Sequence, residues 1–295
     1  MWLDVDHPTE EDVSHIVETH KIDRHAAREL LVPTNKPVIE FHDDFIYLVL
    51  RFPSFKHSHT KEESDQEIDF IIAKNLVITG RFDNIDALHT LSKVLETESV
   101  IDKNEMAKPA EFIFFRMIRE LYDAIFHELA YIDNWTNEIE DKVFKGKEKE
   151  MVRALSDVGR VLIDFKRTLL QHKEVLHSLQ EYGGRMHGER FLYHTKSITA
   201  DYEKLMSTIE SQRDIVSELR ETNNALLNTE QSGIAKVLTV LAFIAVPISL
   251  MVSIFQIEAK SRPIIGMEND FWILIGLIIV IGAGMFAFFK YEKWL

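Results

Sequence analysis

The chain contains no cysteine, which excludes disulfide bonds and thiolate chemistry. Proline is also scarce, with 7 in 295 residues, and none lies between Pro109 and Pro247. A stretch of that length without proline is typical of helices and is too long for a β-rich domain. The sequence therefore predicts a mixed α+β first third followed by long helices.

Signatures of catalysis are missing as well. The sequence has no glycine-rich phosphate loop, no Gly-x-Ser-x-Gly elbow and no zinc-binding helix motif. His57 and His59 lie in a polar run that lacks further ligands at a recognised metal-site spacing, so an exposed loop is the favoured interpretation. We expect a protein that is not an enzyme and that uses no organic cofactor.

Positive charge is in deficit, with 34 Lys and Arg against 48 Asp and Glu, for a net charge of −14. This balance argues against nucleic acid as a partner and is compatible with cations, although an ordinary solubilising surface explains it equally well. The first ten residues are polar and acidic, unlike a secretory signal. We therefore expect the long N-terminal part to be cytoplasmic.

Two uncharged apolar runs lie near the end of the chain, Val237–Phe255 and Phe271–Phe289. As helices rising about 1.5 Å per residue, each spans roughly the 30 Å of a bilayer's hydrocarbon core. The short segment 258–270 between them predicts a hairpin that crosses the lipid bilayer twice. A cytoplasmic N-terminal part then places this segment outside and the basic tail 290–295 inside, as in a multi-pass protein of the plasma or inner membrane.

The region 1–109 is predicted to be a compact α/β domain. Its predicted strands are Trp2–Val5, Val38–Phe41, Phe45–Arg51, Ile68–Ala73 and Leu76–Gly80, and its predicted helices are Glu10–His20, Asp23–Leu31 and Ile85–Leu95.

The region 110–188 is predicted to be an antiparallel pair of helices. A helical stripe of apolar residues runs through Ala110–Phe144 and ends at Gly146, and a second runs through Glu148–Tyr182 and is expected to end at Gly183-Gly184. A third helix, 189–257, is predicted to continue into the membrane, with its apolar part at about 237–255. It would be on the order of 100 Å long, and a helix of that length needs neighbours, such as a second copy of the chain.

Two features of the third helix leave alternatives open. A row of acidic residues follows one face, which is either simply solvated or concentrates cations around an axis of several copies. Close to Pro247, the hydroxyls of Ser249 and Ser253 either bond back to backbone carbonyls or line a narrow path. The acidic residues of the row are Glu203, Glu210, Asp214, Glu218 and Glu221.

The segment Ile234–Phe255 resembles the CorA family of divalent-cation channels. The matching positions are Lys236-x-Leu238-Thr239, Pro247 in mid-membrane and Ser253-Ile254-Phe255. The closing Lys-Trp-Leu, the segment Arg213–Ser217 and the early Trp2-Leu-Asp-Val also match, so the resemblance covers essentially the full length.

The resemblance implies a homopentamer with a cytoplasmic funnel and a central pore. Through this pore Mg²⁺, with Co²⁺, Ni²⁺ and Zn²⁺ as further candidates, enters the cytoplasm. It also implies hydrophobic gates at Leu238 and Val246 and a ring of hydroxyls at Ser249. The positions that the resemblance places along the ion pathway are Glu221, Ser232, Ala235, Leu238, Val246, Ser249 and Ser253.

The sequence departs from the family pattern at the outer mouth of the pathway and at a regulatory site. Gln256, Ile257 and Glu258 stand where the family has Gly-Met-Asn, so they become the candidate selectivity residues, and Glu268 and Asp270 are acidic residues of the external loop. Ser197 stands where the family typically has an aspartate that binds regulatory Mg²⁺, and Asp201, one turn along, is the candidate replacement. A channel with altered ion preference and a non-conducting scaffold or sensor anchored in the membrane therefore remain alternatives.

Overall fold

A computed structural model of the protein describes residues 1–34, 38–53, 65–83, 85–101, 109–256 and 269–292. It divides into two compact units, Met1–Arg220 and Glu221–Leu295. The predicted α+β fold, followed by long helices and two C-terminal helices of membrane length, is confirmed.

The first unit contains a five-stranded sheet in the order β1-β5-β4-β3-β2. All neighbouring strands are antiparallel except β1 and β5, which run parallel with Leu3 opposite Ile78. The predicted strands are confirmed with ends that differ by at most two residues. Their bounds are β1 Trp2–Asp6, β2 Ile39–Phe41, β3 Phe45–Phe52, β4 Gln66–Ala73 and β5 Leu76–Arg81.

Two short helices cover one face of this sheet, α1 (Glu10–His20) and α2 (Arg24–Glu29). Thr9 and Asp12 form a capping box at the start of α1, and the Asp23 carboxylate caps α2 instead of lying within it as predicted. Alternate strand residues face these helices and close an apolar core. This core includes Val13, Ile16, Ala27, Leu30, Tyr47, Val49, Ile71 and Ile78.

The opposite face of the sheet is covered by helices from the middle of the chain. Helix α3 (Asp86–Ile101) extends beyond the predicted Ile85–Leu95 and packs on α4 (Ala110–Phe144), which lies against β4 and β5. The rings of Phe70 and Phe114 meet edge to face at 5.3 Å. Helix α5 (Glu148–Leu170) contacts both α4 and β3.

The predicted second helix of the pair, Glu148–Tyr182, is wrong in its continuity and in its end. After α5 the chain forms α6 (His172–Ser178), a π-helical turn (Leu179–Gly183) and α7 (Gly184–His187). Both predicted terminating glycines keep right-handed helical φ angles, near −63° and −64°. The turn comes instead at Gly188, whose φ of +87° favours glycine.

Gly183 is required for close packing rather than for ending a helix. The ring of Phe191 lies so close to Gly183 that a Cβ there would overlap it. The sequence signal was therefore real, but it marked a contact between helices and not a turn.

Helix α8 (Glu189–Gln256) is confirmed as one continuous helix with Pro247 inside it. In the first unit its buried residues alternate in steps of three and four, which is the pattern of one packed seam. Gln212 donates from this seam to the Leu129 carbonyl at 2.9 Å. The buried residues are Phe191, Thr195, Ile198, Tyr202, Leu205, Ile209, Gln212, Val216 and Leu219.

The second unit pairs the apolar part of α8 with α9 (Asp270–Tyr291). The two helices run antiparallel, since the Phe243 ring lies 6.1 Å from the Phe289 ring and the Ile248 side chain packs at Gly282. Both helices are long and apolar enough to cross a membrane, as predicted.

Candidate functional site

The candidate pathway residues share one property in the single chain, which is exposure. The residues concerned are Glu221, Ser232, Ala235, Leu238, Val246, Ser249, Ser253 and Gln256. Leu238 and Val246 are 61% and 62% exposed, although both are large and apolar. In water such exposure is unfavourable, so this face of α8 is expected to meet lipid or another protein surface.

Helix α9 covers a different face of α8. Val240 is 2% exposed, and Ile248 packs against Gly282. At about 100° of rotation per residue, Leu238, Val246 and Ser249 lie roughly 120° or more around the helix from Val240. Within the second unit, α9 therefore leaves the candidate pathway face of α8 uncovered.

Two hydroxyls in the apolar part of α8 bond back to its own backbone. Thr239 Oγ1 donates to the Ala235 carbonyl at 2.7 Å, and Ser253 Oγ donates to the Ser249 carbonyl at 2.9 Å. This geometry supports the backbone interpretation of the hydroxyls. It does not remove the pathway interpretation, because a hydroxyl that donates its hydrogen still offers lone pairs to a cation or to its hydration water.

Pro247 leaves one backbone carbonyl of α8 without its usual donor. Proline has no N–H, so it cannot donate to the carbonyl of Phe243 one turn earlier. The carbonyl is a strong acceptor that favours a polar partner. A polar carbonyl in mid-membrane is compatible with a hydrated path along the helix.

The acidic row of α8 is exposed at every member, from Glu203 to Glu221. Lys166 Nζ on α5 donates to Glu210 Oε1 at 2.8 Å, and this hydrogen bond lowers the pKa of Glu210. The row is thus partly neutralised within the chain. Its exposed carboxylates still form a negative strip that attracts cations.

The candidate regulatory residue Asp201 is next to a cation of the same chain. Arg119 Nε on α4 lies 3.5 Å from Asp201 Oδ2, and its terminal nitrogen donates to Ser197 Oγ at 2.9 Å. The arginine therefore binds both Ser197 and Asp201, the two residues that the family resemblance singled out. Across the part of the chain that the structure describes, no group of three or more His, Cys, Asp or Glu residues is arranged to hold a metal ion.

Several predicted residues fall outside the described ranges. These are Ile257, Glu258, Glu268, His57 and His59. Gln256 is the last residue of α8, and Asp270 is the first of α9. Asp270 accepts a hydrogen bond from the Phe271 amide at 2.7 Å, as expected for an acid at a helix N-terminus.

A buried histidine that sequence analysis missed connects the sheet to the helices. His172 Nε2 contacts the Arg51 carbonyl at 2.7 Å, and its Nδ1 contacts Tyr122 Oη at 2.9 Å. Since a carbonyl only accepts, the network assigns the ring hydrogen to Nε2, and Tyr122 donates to Nδ1. Burial lowers the pKa of His172 to about 4, so the ring is neutral at pH 7.

The sequence did contain a signal for this histidine. His172 continues the apolar spacing of Phe165, Leu169 and Leu176, all of which are buried. A polar residue on such a stripe is either a paired core residue or part of a site. Its partners come from α4 and β3, so only the tertiary structure distinguishes these two cases.

Comparison with known proteins gives a consistent result. The model of the family described as CorA-like Mg²⁺ transporter protein matches residues 1–291. The cobalt/magnesium transport protein CorA of Thermotoga maritima is 24% identical over 268 residues, which cover 90% of this chain and 75% of that protein. The cobalt/magnesium transport protein CorA of Methanocaldococcus jannaschii is 20% identical over 296 residues, covering 100% and 91%.

A solved structure shares the fold. The complete structure of the CorA magnesium transporter from Methanocaldococcus jannaschii aligns with a TM-score of 0.84 at 19% identity. The alignment covers 100% of this chain and 91% of that one.

Proposed function

The chain belongs to the CorA-like Mg²⁺ transporter family, and we propose that it is a homopentameric channel carrying Mg²⁺ into the cytoplasm down its electrochemical gradient. Proteins of this family are ion transporters, not enzymes, and they are membrane proteins with two C-terminal membrane helices.

The observation that carries the proposal is the uncovered face of α8. Leu238, Val246 and Ser249 lie away from α9 and are exposed in the single chain. In a ring of copies this face would meet the same face of its neighbours around an axis. Along its axis the ring would then have apolar constrictions at Leu238 and Val246, followed by hydroxyls at Ser249 and Ser253, which is a combination that gates a hydrated ion.

The driving force follows from charge. A membrane potential of 100 mV, negative inside, contributes about 2.3 kcal/mol per elementary charge, and thus about twice that for a divalent cation. The acidic row of α8 would attract cations on the cytoplasmic side. Inward flux then needs no nucleotide hydrolysis, in agreement with the absence of phosphate-binding motifs.

The proposed selectivity segment is Gln256-Ile257-Glu258. A ring of Glu258 carboxylates at the outer mouth would concentrate divalent cations more strongly than a neutral ring does. Glu268 and Asp270 would add negative charge to the external loop. The proposed regulatory ligand is Asp201, where Mg²⁺ would have to compete with the Arg119 guanidinium.

Flux through the purified protein tests the proposal. The full chain is reconstituted into liposomes that contain a magnesium-sensitive dye, and a potassium diffusion potential is applied. We expect voltage-driven influx of Mg²⁺. Absence of flux for Mg²⁺, Co²⁺, Ni²⁺ and Zn²⁺ alike would reject the channel.

The lack of cysteine allows a sharp test of the pathway. Single cysteines are introduced at Leu238 and Ser249 on the proposed pathway face, and at Ile248 under α9 as a matched control. A cationic, water-soluble methanethiosulfonate should reduce Mg²⁺ flux in L238C and S249C and leave I248C unchanged. Equal effects at the three positions would contradict the assignment of this face.

A second candidate function rests on the missing Gly-Met-Asn. A chain with Gln256-Ile257-Glu258 could serve as a non-conducting scaffold or sensor anchored in the membrane. In that case the native protein shows no flux, and placing Gly-Met-Asn at 256–258 creates it. Flux in the native protein removes this candidate.

A further inference from the structure

A carboxyl group lies at the centre of the sheet. Asp69 is in the middle of β4, the central strand, opposite Val49 on β3 and Gly80 on β5. Its side chain is fully buried, at 0% exposure. Tyr47 Oη donates to Asp69 Oδ2 at 3.3 Å, and within the described residues Oδ1 has no hydrogen-bond partner.

The residue that follows α2 lies close to this carboxyl. Leu30 follows α2 directly and is 0% exposed. A Cβ placed on Gly80 would lie 3.0 Å from Leu30 Cδ2 and 3.6 Å from Asp69 Cβ, so the three residues are in close proximity. A charge on Asp69 would therefore arise next to the residue at which α2 ends.

The titratable groups that face Asp69 are acidic. Glu67 lies two residues earlier on the same face of β4, Glu29 comes from α2, and Tyr47 comes from β3. The nearby cation, Arg51, is instead 3.6 Å from Glu67 Oε2. Glu67 Oε1 accepts the Thr34 amide at 2.6 Å and so fixes the segment that follows α2.

These surroundings favour the neutral form of Asp69. Burial, followed by the charge of Glu67, raises the pKa of Asp69 to about 8, while the Tyr47 hydrogen bond acts in the opposite direction. An ionised carboxylate without a cation in an apolar core is strongly unfavourable. At pH 7 the carboxyl therefore holds its proton.

We propose that Asp69 is a proton-binding site, and that loss of its proton loosens the packing of α2 and of the segment up to Thr34 on the sheet. A buried charge is relieved most directly by admitting water, and α2, which packs on the same face of the sheet and ends beside Asp69, has only six residues. The site lies in the first unit and does not depend on which ion crosses the membrane.

The direction of the effect follows from the raised pKa. The folded state binds this proton more tightly than the unfolded chain does. The stabilisation from the bound proton is therefore complete below the unfolded pKa near 3.8 and is lost as the pH rises through about 8. The switch would respond to alkaline conditions.

Infrared spectroscopy of the full chain in detergent tests the site itself. The wild type should show the carbonyl stretch of a protonated carboxyl at pH 7, and this band should disappear on titration with a midpoint of about 8. The Asp69→Asn variant should lack the band, whereas Asp44→Asn, at an exposed turn, should keep it. A band unaffected by Asp69→Asn, or no band at pH 7, would overturn the proposal.

Two conservative variants should move the midpoint in opposite directions. Glu67→Gln removes a negative neighbour and keeps an oxygen for the Thr34 amide, so the midpoint should fall. Tyr47→Phe removes the hydrogen bond that favours the carboxylate, so the midpoint should rise. Because both variants retain Asp69, they test whether Asp69 is the protonated carboxyl even if Asp69→Asn does not fold. Shifts in the reverse directions would refute the assigned neighbours.

Hydrogen exchange tests the conformational part. After correction for the intrinsic rate, amide protection in residues 24–34 of the wild type should fall by up to about tenfold per pH unit as the pH approaches the midpoint near 8 from below, and should level off above it. In Asp69→Asn it should stay constant. Identical profiles in the two proteins would show that proton release does not loosen α2.

Discussion

The Arg119 guanidinium on α4 lies 3.5 Å from the Asp201 carboxylate on α8 and also donates to Ser197 Oγ. Both side chains of the ion pair are partly exposed, at 51% and 39%. An exposed pair of this kind is weak, so a divalent cation can compete with the arginine for Asp201.

Removing the arginine should therefore strengthen Mg²⁺ binding at Asp201. Because an exposed ion pair contributes about 0.2 to 1 kcal/mol, Arg119→Gln should lower the Mg²⁺ concentration for half-maximal protection from proteolysis by a factor of roughly 1.4 to 5. Asp201→Asn should abolish the protection. Lys166→Gln frees Glu210 instead and should leave the Mg²⁺ concentration for half-maximal protection unchanged. If Mg²⁺ protected Asp201→Asn as it protects the wild type, Asp201 would be excluded as the ligand.

Acid should destabilise the protein through His172. Its pKa is lowered on folding, so the stabilisation from the neutral ring is complete above pH 6.5 and is lost as the pH falls towards about 4. In this window the free energy of unfolding should fall by about 1.4 kcal/mol per pH unit from this group alone.

A variant that cannot titrate isolates this contribution. In His172→Gln the free energy of unfolding should depend less steeply on pH between 6.5 and 4, by the equivalent of one proton. Chemical unfolding of the detergent-solubilised chain measures this slope. His127→Gln, at an exposed position of α4, should keep the wild-type slope. An unchanged slope in His172→Gln would contradict the assignment.

The adjacent glycines at 183 and 184 should respond in opposite ways to alanine. A methyl group at Gly183 would overlap the Phe191 ring, so Gly183→Ala should destabilise the first unit by about 1 to 3 kcal/mol. At Gly184 the neighbouring Leu192 Cβ would be 3.5 Å away, an ordinary contact, so Gly184→Ala should be neutral or stabilising.

The double variant Gly183→Ala with Phe191→Leu provides the check. If the ring causes the clash, the second substitution should recover part of the lost stability, and the two effects should not add. Simple additivity in thermal unfolding would show that Gly183 serves another purpose.

Ion preference should depend on Glu258. Replacing the proposed ring of Glu258 carboxylates by amides would lower the attraction for divalent cations, so Glu258→Asn should change the order in which Mg²⁺, Co²⁺, Ni²⁺ and Zn²⁺ permeate reconstituted liposomes. Glu268→Gln, ten residues further along the sequence, is the control for a general change of charge. An unchanged order in Glu258→Asn would place selectivity elsewhere along the pathway.

The sequence was sufficient for those features that depend on local pattern. Apolar spacing predicted α4 from Ala110 to Phe144 with both ends correct, because a long amphipathic stripe has only one helical solution. The two apolar runs predicted the membrane helices by their length and their lack of charge.

Features that depend on distant partners were not predicted. The strand that contains Asp69 was recognised, but its position at the centre of the sheet follows from the pairing of β4 with β3 and β5. Arg119 was not singled out, since it lies 82 residues from Asp201 in the chain. The helix end predicted at Gly183-Gly184 was wrong because a glycine needed for close packing looks the same in a single sequence as a glycine needed for a turn.

The parallel pairing of β1 with β5 has a consequence for synthesis. Strands β3, β4 and β5 are joined by consecutive antiparallel pairings and can assemble as they emerge, whereas Trp2 must wait for Val77. Strand β1, which leaves the ribosome before the other strands of this sheet, is therefore expected to be the last to join it. Until then the open edge of β5 is available to the wrong strand, so a fusion that delays or blocks the N-terminus should favour aggregation of the nascent chain.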